Sequence, residues 1–144
     1  MIKIGVLGDI GSGKSFVAKK FGYPVFNADH EVHKIYKNDL RVFNKLKKIL
    51  PQDIHAFPIK KNEISKAILS DNRNLKRIVK IVHLEVRKKM KIFFNKNKRK
   101  KIVVLDIPLL LENKLVQKKD ILVFVDSKKK DIEKRLIKRK NFDR

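Results

Sequence analysis

The chain has no cysteine, no tryptophan and only two tyrosines among its 144 residues. Without cysteine, neither a disulfide nor a thiolate metal site has to be considered. Acidic residues are also scarce, 15 against 38 lysines and arginines, so the formal net charge is +23. No apolar run reaches the ~20 residues of a membrane span, and Met1 leads directly into an apolar segment without a signal-peptide pattern. We therefore expect a soluble, cytoplasmic protein.

The positive charge has two explanations, which are a polyanionic partner such as nucleic acid and a solvated surface rich in lysine. Only eight of the 38 basic residues are arginine. Proteins that read nucleic acids tend to use arginine forks and aromatic platforms, and both are scarce here. The lysine clusters at 96–101 and 128–130 are short. We expect solvated faces and no specific nucleic-acid partner.

Length and composition favour one α/β domain over residues 1–144, with a largely helical region at 30–97. Continuous apolar runs, typical of a parallel sheet covered on both faces, predict strands at 2–7, 24–26, 101–107 and 121–125. Helical spacing predicts helices over 16–21, from Asp29 or His30 to Tyr36, over 40–50, over 62–69, from a cap at Asp71 or Asn72 to Phe94, and after Ser127 as a cap. A loop is predicted at 51–61.

The most specific pattern is the phosphate-binding P-loop, G-x-x-x-x-G-K-[ST]. It is matched by Gly8, Asp9, Ile10, Gly11, Ser12, Gly13, Lys14 and Ser15. A predicted strand precedes this loop and a predicted helix follows it, as a phosphate cradle requires. Lys14 would reach the β- and γ-phosphates, and the Ser15 hydroxyl would bind Mg²⁺. The pattern predicts a protein that binds a nucleoside triphosphate with Mg²⁺.

Carboxylates follow two of the other predicted strands. Asp29, after the second strand, could accept the proton of an acceptor hydroxyl, or could merely cap the next helix. Asp106, at the end of the third strand, has the form of a Walker-B carboxylate, although it could also cap the following turn. Ligands collect at the carboxyl ends of the strands in an open parallel sheet, so we expect both carboxylates at the rim that carries the P-loop.

Three basic side chains on predicted helices are further candidates. A lone helical histidine such as His83 is usually structural. Arg135 and Arg139 are four residues apart and therefore share one helix face. Two guanidiniums so placed could clamp transferring phosphates, or could form a solvated basic helix end.

Taken together, five segments resemble the dephospho-coenzyme A kinase family of P-loop kinases. They are residues 4–15, 25–29, 81–83, 106–113 and 135–139. The P-loop alone identifies only the superfamily. The P-L-L-x-E-N pattern at 108–113 and the dipeptide Ala28-Asp29 are much narrower signals.

The resemblance implies a three-layer P-loop kinase fold, in which helices flank a parallel sheet. It also implies transfer of the γ-phosphoryl group of Mg·ATP to the 3′-hydroxyl of dephospho-CoA. We expect the protein to be a monomer. Asp29 would accept the hydroxyl proton, and Lys14 and Arg139 would be the other catalytic residues. The region 30–97 would bind the acceptor. The individual acceptor contacts implied are Asp29, His83, Pro108, Leu109, Leu110 and Arg135.

Three features depart from the family pattern. Asn27 stands where an Asp-Ala-Asp triplet commonly begins, and Leu84 stands where a proline commonly follows His83. Family members also run on for several tens of residues, so we expect the last strand and helix to be missing and the strand at 121–125 to be an exposed edge. Two alternatives stay open: another small-molecule P-loop kinase, of the nucleoside monophosphate type, and an inactive fragment that binds nucleotide or nucleic acid.

Overall fold

The computed structural model describes residues 1–107 and 117–139. Its strands are β1 (Ile2–Leu7), β2 (Val25–Asn27), β3 (Ile102–Asp106) and β4 (Ile121–Phe124). Its helices are α1 (Lys14–Lys20), α2 (Ala28–Asn38), α3 (Leu40–Ile49), α4 (Lys61–Ser70), α5 (Arg73–Lys96) and α6 (Lys129–Ile137). The predicted strands and helices are confirmed, with small differences at their ends of the kind that any assignment shows.

The four strands form one parallel sheet in the order β2-β3-β1-β4. In this register Asp106 of β3 lies opposite both Val6 of β1 and Asn27 of β2. The carboxyl ends of these three strands therefore lie at the same level, with the P-loop following β1 directly. The predicted α/β class with a parallel sheet is confirmed, and the register brings the chemically important strand ends together.

Among the described residues, 1–28, 95–107 and 117–139 form one compact unit around this sheet. Its core contains Ile4 and Val6 of β1, Ala18 of α1 and Val104 of β3. Helix α1 packs against β1 and β3 and so covers one face of these strands.

Strand β4 is an outer strand of the sheet that the described residues form. The side chain of Asp120 holds its start beside β1, because Oδ1 accepts a hydrogen bond from the Lys3 N–H at 3.1 Å. Ile121, Leu122 and Phe124 are at least half exposed, at 50%, 51% and 60%. The expectation of an exposed apolar strand here is confirmed.

Residues 29–94 form a second compact unit, which contains α2, α3, α4 and most of α5. Its buried side chains include Ile35, Leu46, Ile54, Val86 and Met90. Asp71 Oδ1 accepts a hydrogen bond from the Arg73 N–H at 2.9 Å, which caps α5. The predicted loop between α3 and α4 is also confirmed. None of the helices within 1–107 and 117–139 is long and apolar enough to cross a membrane.

The prediction that Ser127 caps the last helix is wrong. The N-cap of α6 is Lys128, which forms no side-chain capping bond. The Ser127 hydroxyl instead donates to the carbonyl oxygen of Ser12 at 2.7 Å. Ser127 therefore makes a contact with a residue far away in sequence, where local sequence predicted a contact within its own helix.

Candidate active site

The P-loop connects β1 to α1 in a tight turn. The Ser12 N–H donates to the Asp9 carbonyl at 3.0 Å, and the Val17 N–H donates to the Gly13 carbonyl at 3.0 Å. Gly13 is the N-cap of α1 and adopts φ 94° in the left-handed region, where a residue with a Cβ would be strained. The loop thus delivers Lys14 and Ser15 as the first residues of a helix, whose N–H groups and dipole favour anions.

The carboxylate of Asp106 is the centre of a polar cluster beside this loop. Its Oδ2 accepts hydrogen bonds from Ser15 Oγ at 2.5 Å and from Asn27 Nδ2 at 2.7 Å. Its Oδ1 lies 3.8 Å from Lys14 Nζ. Asp106 is only 3% exposed, so these partners are needed to compensate the cost of burying its charge. Contact with the P-loop serine is the arrangement expected of a Walker-B carboxylate.

Asn27 belongs to this cluster through its amide nitrogen, a role that sequence analysis missed. The sequence pattern indicates only that Asn27 stands where the family commonly has an acidic residue. The signal that could have revealed the contact is strand register, since Asn27 and Asp106 end neighbouring parallel strands. Pairing of β2 with β3, however, could not be known from the sequence.

Helix α6 lies against the P-loop. Arg135 Nη1 donates to the carbonyl oxygens of Gly11 and Ser12 at 3.1 and 3.0 Å. The acceptor contact that the resemblance implied for Arg135 stays a prediction. Arg139 follows α6, and its N–H donates to the Leu136 carbonyl at 3.1 Å; its predicted catalytic role also stays a prediction.

Two predicted site residues belong to the second compact unit. Asp29 lies in the first turn of α2, two residues after Asn27 in the chain. His83 lies on α5, where partial burial, together with the nearby Arg87 guanidinium, lowers its pKa below the usual value. A depressed pKa favours a neutral imidazole at physiological pH. The predicted acceptor contacts Pro108, Leu109 and Leu110 lie outside the described residues.

Metal ligands in the described residues are sparse, because no group of three or more His, Asp or Glu side chains is arranged to hold an ion there. Two oxygen atoms beside the P-loop, Ser15 Oγ and Asp106 Oδ2, form the best pair of hard donors. Two protein oxygens are suited to an Mg²⁺ ion that phosphate oxygens also bind.

A parallel sheet with a P-loop after β1 and a carboxylate on the neighbouring strand defines an α/β protein of the P-loop kinase class. The family model described as dephospho-CoA kinase (CoaE) matches residues 2–144. The chain therefore belongs to the dephospho-CoA kinase family, and the family resemblance predicted from the sequence is confirmed.

Individual relatives agree with this assignment. The chain is 38% identical over 127 residues to a dephospho-CoA kinase of Wolbachia sp. subsp. Brugia malayi, covering 85% of this chain and 65% of that protein. It is 34% identical over 131 residues to one of Ehrlichia canis, covering 87% and 66%. The chain thus spans slightly less than two thirds of the length of these relatives.

Two solved structures share the fold. The crystal structure of TT1252 from Thermus thermophilus matches with a TM-score of 0.75 and 27% identity, covering 99% of this chain and 74% of that one. The dephospho-CoA kinase from Campylobacter jejuni matches with a TM-score of 0.63 and 19% identity, covering 85% and 64%. At 19% identity the second likeness concerns the fold alone.

Proposed function

We propose that this chain binds ATP in its P-loop and transfers the γ-phosphoryl group to the 3′-hydroxyl of dephospho-CoA. The observation that carries the proposal is the cluster around Asp106. One nearly buried carboxylate contacts Ser15 and lies 3.8 Å from Lys14, which are the two P-loop side chains expected to act on Mg²⁺ and phosphate. Family membership supports the acceptor.

Lys14 and the loop amides would bind the triphosphate. The ammonium group would exchange its ion pair with Asp106 for the β- and γ-phosphate oxygens, to which an ammonium binds strongly. Asp106 holds Lys14 and Ser15 beside the loop. We infer that the cluster keeps both side chains close to the positions at which they are needed.

Ser15 Oγ and Asp106 Oδ2 would hold Mg²⁺ directly or through water. Both atoms are hard oxygen donors, and they lie 2.5 Å apart beside the P-loop. When bound, Mg²⁺ neutralises charge on the β- and γ-phosphates. Asn27 would continue to donate to Asp106 and so fix the orientation of its carboxylate.

Asp29 is the proposed proton acceptor. In the transfer step the acceptor oxygen would form a bond to the γ-phosphorus, the bond from that phosphorus to the β–γ bridging oxygen would break, and ADP would leave. The proton of the acceptor hydroxyl would pass to the Asp29 carboxylate. Arg139 would stabilise charge on the transferring group, and His83, Pro108, Leu109, Leu110 and Arg135 would contact the acceptor.

The direct test is formation of CoA from dephospho-CoA by the 144-residue chain with Mg·ATP, read by mass spectrometry. Lys14→Ala serves as the blank, and binding of ATP is measured by calorimetry on the same samples. Product above the blank supports the proposal. If ATP binds but no CoA forms, transfer by this chain is contradicted while nucleotide binding stands.

A panel of acceptors distinguishes the proposed reaction from that of another small-molecule P-loop kinase. Dephospho-CoA, AMP, CMP and UMP are offered at equal concentrations with Mg·ATP. We expect phosphorylation of dephospho-CoA in preference to the nucleoside monophosphates. Preference for a nucleoside monophosphate would contradict the acceptor assignment but would leave the phosphotransferase class intact.

We propose that the protein acts in the cytoplasm as a monomer, without a specific nucleic-acid partner. The net charge of +23 predicts non-specific binding to polyanions at low salt, which should weaken steeply as salt is raised. Light scattering after gel filtration tests the monomer, and binding to random-sequence RNA at two salt concentrations tests the partner.

A further inference from the structure

A single nitrogen of Arg135 connects helix α6 to the P-loop backbone. Nη1 lies 3.1 Å from the Gly11 carbonyl oxygen, 3.0 Å from the Ser12 carbonyl oxygen and 3.3 Å from Ser127 Oγ. Ser127 Oγ itself donates to the Ser12 carbonyl at 2.7 Å. The Ser12 carbonyl therefore accepts two hydrogen bonds, one from each side chain, which matches its two lone pairs. We call Arg135, Ser127 and these two carbonyls the clasp.

Apolar packing holds the same helix face on the loop. A Cβ added at Gly11 would lie 3.1 Å from Leu136 Cδ2 and 3.2 Å from Ile132 Cγ2. Ile132 and Leu136 are four residues apart on α6, and Arg135 lies between them on the adjoining surface. A side chain at Gly11 would therefore push Leu136 and Ile132 away by a few tenths of an ångström. Ile132 and Leu136 thus fix the distance between α6 and the loop, and the clasp forms beside this apolar contact.

The clasp constrains the peptide groups that form the phosphate cradle. A trans peptide is planar, so its N–H points away from its C=O. When the Ser12 carbonyl is held by Arg135 and Ser127, the N–H of Gly13 must point to the opposite side. Arg135 Nη1 also donates to the Gly11 carbonyl, and the Ser12 N–H of that peptide donates to the Asp9 carbonyl.

We propose that Arg135 is a positioning residue, which with Ser127 fixes the Gly11 and Ser12 peptides so that the Gly13 N–H is oriented for phosphate binding. The proposal rests on the proposed binding of ATP in the P-loop. Arg135 acts here through the backbone of the loop, because its Nη1 donates to the carbonyl oxygens of Gly11 and Ser12. The class of ligand that depends on it is a nucleotide polyphosphate.

The first test separates orientation of the loop from simple charge. Binding of ATP to the wild type, Arg135→Ala and Lys134→Ala is measured by calorimetry at 50 and 500 mM NaCl. Lys134 is an exposed neighbour of Arg135 on α6, and Lys134→Ala removes the same unit charge. We expect Arg135→Ala to weaken binding roughly 10- to 100-fold at both salt concentrations, as loss of charge-assisted hydrogen bonds implies. Lys134→Ala should have a small effect that salt removes.

The second test uses a neutral change in the same clasp. Ser127→Ala removes one donor to the Ser12 carbonyl without changing the charge, and the double variant with Arg135→Ala completes a cycle. If both side chains orient one carbonyl, the loss of affinity in the double variant is smaller than the product of the two single losses. A loss equal to that product would overturn the shared role.

The third test needs no nucleotide. The amide resonance of Gly13 in a proton–nitrogen correlation spectrum should shift in Arg135→Ala and in Ser127→Ala, and should stay in place in Lys134→Ala. An unmoved Gly13 resonance in all variants would overturn the proposal. If the wild type fails to bind ATP, the proposed function is contradicted; if the wild type binds and Arg135→Ala binds equally well, only the positioning role is contradicted.

Discussion

Asn27 Nδ2 donates a hydrogen bond to Asp106 Oδ2 at 2.7 Å, across the paired ends of β2 and β3. The family pattern commonly has an aspartate at the position of Asn27, which would place two carboxylates at this distance. The amide converts the pair into a neutral donor and a charged acceptor. Compared with that pattern, this chain carries one negative charge fewer beside its P-loop, and the Asn27 amide helps to hold the carboxylate that contacts Ser15.

The first prediction concerns this pair. Asn27→Asp replaces the donor by a second carboxylate, so we expect a loss of about 1–3 kcal/mol in the free energy of unfolding without metal. Urea unfolding at pH 7.5 with EDTA measures this loss, and 5 mM MgCl₂ should restore part of it. Asn44→Asp on the exposed surface of α3 is the matched control. Equal stability of Asn27→Asp and the wild type in EDTA would contradict the role of the amide.

The second prediction concerns Lys14. Lys14→Ala removes the side chain expected to bind the phosphates, so ATP binding should fall below detection, a loss of at least roughly 100-fold. Calorimetry with Mg·ATP measures this loss. Lys19→Ala on the same helix controls for the general loss of positive charge. An unchanged affinity of Lys14→Ala for ATP would remove the basis of every enzymatic interpretation of this chain.

The third prediction concerns Asp29. Asp29→Asn keeps the shape of the side chain but removes the proton acceptor, so turnover should fall about 10²- to 10⁴-fold while the affinity for ATP stays unchanged. The rate of CoA formation and the calorimetric affinity are measured in parallel. Glu31→Gln, in the same first turn of α2, should retain turnover within a few-fold. Turnover of Asp29→Asn in that same range would show that Asp29 is not the base.

The fourth prediction follows from the depressed pKa of His83. The pKa in the folded state lies below the unfolded value of 6.5, so protons bind the unfolded chain more readily. Above pH 6.5 this group does not lower the free energy of unfolding. The free energy of unfolding declines as the pH falls through the interval between the two pKa values. We expect the urea midpoint of the wild type to drop more than that of His83→Gln between pH 7.5 and 5.5. The same drop in both proteins would contradict the assignment.

Local sequence determined the elements and the chemistry of the phosphate site. The apolar runs of β1, β3 and β4 and the spacing of the helices follow from residues close together in the chain, because hydrophobic periodicity is a local property. The motif at 8–15 could also be recognised from the sequence, since its glycines, lysine and serine act within one turn. Membership of the family followed from motifs of this kind.

Contacts between residues far apart in the chain were decided by the tertiary structure. Register placed Asn27 beside Asp106, although 79 positions separate them. Ser127 has the side chain of a helix cap, yet it donates to a carbonyl 115 positions away. Arg135 reaches Gly11 and Ser12 only because α6 packs on the loop. A sequence states which groups are available, whereas strand pairing and helix packing select the partner that each buried polar group finally meets.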